Sequence, residues 1–483
     1  MNDLAPFWKN YIDGQWVDGG DGRLTVLDPA TGKALADHAA ADAADVDRAV
    51  QAARRLHLSR ALSGMRPIER GRMVQAMGTY LLTHKAEIAH TLTLEQGKPL
   101  WESEIEIEGA ALYFEYYGNQ ASTIEGRSVP LGDGYLDWTE HEPYGVSAQI
   151  IPWNYPLEMA ARSLSAALAT GNACVLKPPE LTPLTHAWIA KAAEAAGFPA
   201  GAVNVVCGLG QTAGAALAGH PDVNQIVFTG SVATGIAIAT SAAHNVVPCV
   251  LELGGKSAAI VHSDADLDAF ETDMRWGIFF NAGQVCSAMS RVIVHESRAA
   301  ELLERAEALA RSLSVGPGIK RPEFGANMGA MVSDPQRDRA ENMVSRAQTE
   351  GARIITGGRR LNRDGAFLEP TVMAQVTPDM EIARNEVFGP VLSVLTFKDE
   401  AEAIALANGT DYGLVAGVFT ADLDRATQAA RKLRAGQVFV NEWYAGGVET
   451  PFGGYGKSGY GREKGREALW NYVQTKNIAI KAR

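Results

Sequence analysis

Two side chains in one stretch of this sequence have the chemistry and the surroundings for covalent catalysis. They are Glu252, in Leu251-Glu252-Leu253-Gly254-Gly255-Lys256, and Cys286, in Asn281-Ala282-Gly283-Gln284-Val285-Cys286. A thiol is a strong nucleophile once deprotonated, and a carboxylate beside it can act as general base toward the thiol or toward water attacking what the thiol holds. The two lie 34 positions apart, so the chain must fold back to join them. Glycines next to each supply the conformational freedom for sharp turns. A lone cysteine is more often a small buried hydrophobe than a nucleophile. Here, however, Asn281-Ala282-Gly283-Gln284 is no apolar core pattern, and it breaks the chain between Trp276-Gly277-Ile278-Phe279-Phe280 and the alternating Ser290-Arg291-Val292-Ile293-Val294-His295.

Other segments have the makings of a cofactor site. Gly230-Ser231-Val232-Ala233-Thr234-Gly235 follows the apolar run 225–228 and precedes an Ala/Ile-rich helical stretch. A glycine turn between strand and helix binds anions through backbone N–H groups and the helix dipole. It is not G-x-G-x-x-G, so alone it is a weak signal, and Gly208-Leu209-Gly210 reads more simply as a turn. Lys177-Pro178-Pro179-Glu180 closes another apolar strand, where solvated loop charges are common but where open α/β folds also bind cofactors. Asn154, in Pro152-Trp153-Asn154-Tyr155-Pro156, reads by itself as a turn residue ahead of proline.

These groups need a scaffold. Short apolar runs at 146–151, 173–176, 203–206 and 225–228, separated by helical stretches, predict a parallel sheet covered on both faces. A second series follows Gly255, with strands expected at 257–261, 291–294, 353–355, 391–397 and 437–440 and helices at 298–312 and 400–407. Two such α/β units facing each other place a cleft where Glu252 and Cys286 meet. Ahead of them come short strands around Asp13-Gly14, a hairpin dipeptide, and helices over 42–56, from Pro67, and over 101–119. In the last, Glu102, Glu104, Glu106 and Glu108 read as a solvated acidic turn leading into packed aromatics. Residues 135–142 alternate like a strand with one wet face, and 473–482 is also extended.

A chain of 483 residues is long for one core and suggests two or three domains. The formal net charge of −12, without Lys/Arg clusters, argues against nucleic acid as a partner. No apolar run reaches membrane-spanning length, and the N-terminus lacks the basic-then-apolar layout of a secretory signal, which points to the cytoplasm. Cys174, Cys207, Cys249 and Cys286 have neither C-x-x-C spacing nor clustered histidines, so reduced thiols are expected and no metal site or disulfide framework.

The glutamate and cysteine motifs, in their order and separation, closely resemble the NAD(P)-dependent aldehyde dehydrogenase superfamily, betaine-aldehyde and semialdehyde dehydrogenase-like members among them, over almost the whole chain. The resemblance implies two doubly wound α/β domains, a cofactor-binding one over 1–124 and 145–252 and a catalytic one over 253–463, with an oligomerisation arm over 125–144 and 464–483. It implies a homodimer or homotetramer, and NAD as cofactor with NADP as the alternative. It makes Cys286 the nucleophile, Glu252 the base and Asn154 the oxyanion-hole amide, with Lys177 also in the catalytic set. Ile151, Trp153, Lys177, Glu180, Gly210, Gly230, Ser231, Leu253, Glu386 and Phe388 would meet the cofactor. A helix N-terminus or the nicotinamide's charge would lower the thiol's pKa. Glu180 favours NAD, since a carboxylate that accepts from the ribose 2′-OH repels a 2′-phosphate. The loop 451–459 lies near the substrate mouth, and Tyr155, Met159, Arg162, Phe280 and Trp443 or Tyr444 would line the substrate pocket.

Relatives that oxidise succinate semialdehyde carry an arginine at the position of Arg162 and a second one where this chain has Phe280. Two readings follow. Arg162 receives an acidic or hydrogen-bonding tail, or Glu158 neutralises it as an i, i+4 partner and the pocket is aromatic. Both fit a small-molecule aldehyde with a bulky or polar tail, such as a semialdehyde or an aromatic aldehyde. Three other functions are weighed: a CoA-acylating relative, disfavoured because Glu252 is present; a thiol hydrolase, disfavoured because no histidine neighbours Cys286; and a catalytically silent structural relative, which should lack the cysteine or Asn154.

Overall fold

Strands covered on both faces are mostly apolar, and Val146–Ile150, Ala173–Lys177, Val203–Val205, Gln225–Gly230 and Cys249–Leu253 are nearly all buried, with a few polar side chains such as Gln149, Asn204 and Glu252 among the apolar ones. In the computed structural model, which describes residues 4–320, 324–325 and 327–481, these five form the parallel centre of an eight-stranded sheet. Gly459–Tyr460 closes one edge antiparallel, and the hairpin Asn10–Ile12 and Gln15–Val17 closes the other. Asp13 and Gly14 turn that hairpin, both at positive φ. Met1 to Asp3 and Ala482, which the sequence reading touched, lie outside the described residues.

The second sheet has seven strands, ordered Arg353–Thr356, Thr371–Ala374, Val391–Phe397, Arg291–His295, Ala258–Val261, Val415–Phe419 and Gln437–Val440, with only the first antiparallel. Each sheet has its own hydrophobic core. The chain passes from one to the other through Gly254-Gly255, with Leu253 in the first core and Ala258 in the second. Tyr155 packs against both. The segment Arg466–Tyr472 returns Leu469 and Tyr472 to the first core.

Two helices matter most to the site. Pro156–Thr170 is buried nearly all round, as a helix wedged between layers must be. Leu100–Gln120 packs beside it, and here the structure corrects the sequence reading. Glu102 and Glu106 are not solvated; they are 1% and 0% exposed, and only Glu108 of that acidic run is exposed. The strand Tyr135–Pro143 pairs antiparallel with Val473–Lys481 as a separate two-stranded ribbon. Among the described residues, no helix is long and apolar enough to cross a membrane.

Candidate active site

The nucleophile's approach is set by three consecutive left-handed residues, Asn281 (φ 48°), Ala282 (φ 51°) and Gly283 (φ 70°). Such a conformation costs L-residues roughly 1–2 kcal/mol each and persists only where surrounding contacts impose it. Those contacts are present. Glu102 Oε2 accepts from the Asn281 backbone N–H at 3.0 Å, Asn281 Nδ2 donates to the Asn154 carbonyl at 2.9 Å, and Gln284 joins Asn281 O to Val332 N–H. Gly283 is required, since a Cβ there would fall 2.1 Å from the Gly389 carbonyl oxygen. Cys286 follows in a turn at which no helix begins. The resemblance implied that a helix terminus or the cofactor's charge lowers the thiol's pKa. In the protein alone burial, reinforced by the neighbouring Glu252, pushes it up.

Glu252 is the fourth residue of a parallel strand, held in register opposite Thr229 on one side and Gly459 on the other. It is 2% exposed, and neither carboxylate oxygen has a hydrogen-bond partner. Burial raises its pKa to about 8, while the Arg162 guanidinium pulls it down. Asn154 Nδ2 donates to the Gln284 carbonyl at 2.9 Å, leaving the amide's second hydrogen unspent.

The cleft around Glu252 and Asn154 has a volume of about 610 Å³, with Trp153, Gly230, Ser231, Leu253, Glu386 and Phe388 in its wall. Ser231 caps the helix Val232–His244, its hydroxyl accepting from the Thr234 N–H, so the positive end of that helix opens at the carboxyl end of the strand Gln225–Gly230. Glu386 Oε1 accepts from the Gly255 N–H at 3.1 Å, and a Cβ on Gly254 would fall 2.2 Å from the same carboxylate. An anion cradle, a carboxylate fixed by glycine backbone and an edge-on Trp153–Phe388 pair fit a dinucleotide. Lys177 Nζ lies 3.2 Å from Glu180 Oε2 at a neighbouring strand end. These two, Ile151 and the exposed Gly210 stand outside the cleft's wall.

On the other side of Cys286 a tunnel of about 1160 Å³ is lined by Tyr113, Tyr155, Met159, Arg162, Phe280 and Tyr444, among others. Cys286 is the residue that the two linings share.

The sequence profile of the aldehyde dehydrogenase family matches residues 16–478. The chain belongs to the aldehyde dehydrogenase family. It is 40% identical over 475 residues to the mitochondrial aldehyde dehydrogenase of Equus caballus, covering 98% of this chain and 94% of that one. It is 41% identical over 473 residues to the mitochondrial benzaldehyde dehydrogenase of Antirrhinum majus, covering 97% and 88%. The structure of a Bacillus cereus aldehyde dehydrogenase in complex with NAD+ superposes with a TM-score of 0.96 at 38% identity, over 100% of this chain and 99% of that one.

Two pocket expectations for this aldehyde dehydrogenase are corrected. Arg162 does not pair with Glu158. It ion-pairs with Glu463 and lies 3.5 Å from Glu252, all three groups being almost fully buried. Trp443 is buried behind the tunnel, its indole N–H donating to the Ser287 carbonyl, and Tyr444 takes its place in the wall. Tyr444 has φ 71°, so the alternation of the preceding strand does not carry through to it. Glu463, Lys98 and Glu106 escaped sequence reasoning because nothing local marks a charged residue as buried.

Proposed function

We propose that this enzyme oxidises an aldehyde to its carboxylic acid with NAD, through a thioester on Cys286. The observation that carries the reading is the position of Cys286 where the dinucleotide-shaped cleft and the tunnel meet. Glu252, buried and with a pKa of about 8, accepts the thiol proton, and the thiolate attacks the aldehyde carbon to form a thiohemiacetal. The free hydrogen of the Asn154 amide stabilises the oxyanion. Trp153, Gly230, Ser231, Glu386 and Phe388 would hold NAD, with Lys177 and Glu180 at its adenosine end, and NAD supplies the acceptor for the departing hydride. Glu252 gives up the thiol proton to solvent and then takes a proton from water, which attacks the thioester carbonyl. The acid leaves and the Cys286 thiolate is regenerated. Arg162, with Glu463 balancing its charge, keeps the Glu252 carboxylate ionisable despite its burial.

The substrate is a bulky, aromatic-type aldehyde rather than a short alkanal or an ω-carboxylated one. Tyr113, Tyr155, Phe280, Phe439, Tyr444 and Phe452 are aromatic side chains in the tunnel's lining, and the Arg162 charge is already met by Glu463. The chain acts as a homodimer or homotetramer. Rates of cofactor reduction with benzaldehyde, phenylacetaldehyde, acetaldehyde and succinate semialdehyde, each with NAD and with NADP, test the reading. Higher kcat/KM for the aromatic aldehydes and for NAD is expected; a preference for succinate semialdehyde would return Arg162 to substrate binding.

A further inference from the structure

The helix Pro156–Thr170 begins directly after Asn154, and its N-cap residue, Tyr155, makes no capping hydrogen bond through its side chain. The first N–H groups of a helix need acceptors when they are buried. They find one on another helix: Glu106 Oε1 accepts from the backbone N–H groups of Leu157 at 2.9 Å and Glu158 at 3.2 Å. Its other oxygen, Oε2, is 2.6 Å from Lys98 Nζ, and both side chains are wholly excluded from solvent. Lys98 Nζ also donates to the Asn154 carbonyl at 2.9 Å and stands 4.0 Å over the Tyr155 ring. The Asn154 carbonyl takes its second hydrogen bond from Asn281 Nδ2, and Asn281 is tied in turn to Glu102, four residues from Glu106 on the same helix.

From this geometry we infer that Lys98 and Glu106 are positioning residues for the oxyanion hole: their buried ion pair fixes the backbone of Asn154 so that its amide faces the carbonyl bound at Cys286. The inference rests on the role given above to Asn154. A buried ion pair is a poor source of stability compared with an apolar pair of the same size, so two charges kept at zero exposure call for another reason. Here every side-chain hydrogen bond that the pair makes outside itself ends on the turn 154–158. Neither residue lines the tunnel or the cleft, so neither touches substrate or cofactor.

A double-mutant cycle separates this role from general support of the fold. Asn154→Ala should lower kcat about 100- to 1000-fold, the loss seen when one oxyanion donor is removed. Glu106→Gln, which keeps an acceptor for the helix N–H groups but loses the charge on Lys98's partner, should lower kcat by up to about 100-fold while leaving KM for the aldehyde and the Kd of NAD within about threefold, since misplacement of a catalytic group by about 1 Å costs that much. If Glu106 acts through Asn154, the double variant should be no slower than Asn154→Ala alone, because residues acting as one unit are non-additive. Losses that multiply would overturn the inference, as would a Glu106→Gln enzyme with wild-type kcat. Lys98→Met, put through the same cycle, answers the question if Glu106→Gln fails to give the native circular-dichroism spectrum. An Asn154→Ala enzyme with undiminished kcat would instead overturn the oxyanion role itself.

Discussion

At the scale of single residues, the base is held in a balance of charges that a pH profile can read. Glu252 has its pKa raised to about 8 by burial; Arg162 opposes the rise and Glu463 adds to it. The ionised carboxylate is the active form, so the rate should climb as pH rises through about 8. Replacing Glu463 by Gln removes one upward push and leaves Arg162 to act on Glu252 alone. Both changes lower the pKa of Glu252, so the rising limb of kcat against pH should move to lower pH, and a shift to higher pH would contradict the balance. Glu252 and Cys286 stood out in the sequence because each lies in a glycine-bearing motif with an uncommon neighbourhood, whereas Asn154 by itself read as a turn residue and took its proposed role from the family resemblance. Glu463 and Glu106 were not. In a chain with 56 acidic residues a glutamate reads as surface, and its burial depends on tertiary partners that no local pattern marks, Arg162 for Glu463 and the Leu157 N–H for Glu106.

At the scale of elements, the left-handed turn 281–283 is the part least tolerant of change. Gly283→Ala places a side chain at φ 70° and a Cβ against the Gly389 carbonyl. The conformational term alone costs about 1–2 kcal/mol, and relieving the contact must shift the loop that ends in Cys286. A lower melting temperature together with a lower kcat is expected; an unchanged kcat would mean that the turn does not aim the thiol. The strands flanking this turn were largely readable as apolar runs. Thr371–Ala374 and Val415–Phe419 were not, because such short, wholly buried strands show no alternation, and Gly413 and Gly417 make the second resemble a loop. Of the two candidates after Val440, Trp443 and Tyr444, the left-handed Tyr444 enters the tunnel wall, and nothing local in the sequence chose between them.

At the scale of the whole molecule, the ribbon of Tyr135–Pro143 and Val473–Lys481 is an unfinished surface. Leu136 and Ile480 are cross-strand partners, 61% and 45% exposed, on a sheet of only two strands, and such a sheet is marginal alone and has open edges. In the homo-oligomer proposed above, a second copy of the chain would cover this surface. Light scattering should give a native mass of two or four times 51.5 kDa, and Leu136→Asp with Ile480→Asp should reduce it; a monomeric parent would contradict the assembly. The central claim, however, is that the two α/β units meet at one sulfur which carries the substrate as a thioester until Glu252 releases it. The most direct test is intact-protein and peptide mass spectrometry of Glu252→Gln after brief mixing with an aromatic aldehyde and NAD. The account predicts an acyl adduct on the peptide containing Cys286, close to one per active site, and none when Cys286 is also replaced by Ala. Undiminished turnover in Cys286→Ala, or an acyl group on any other residue, would contradict it.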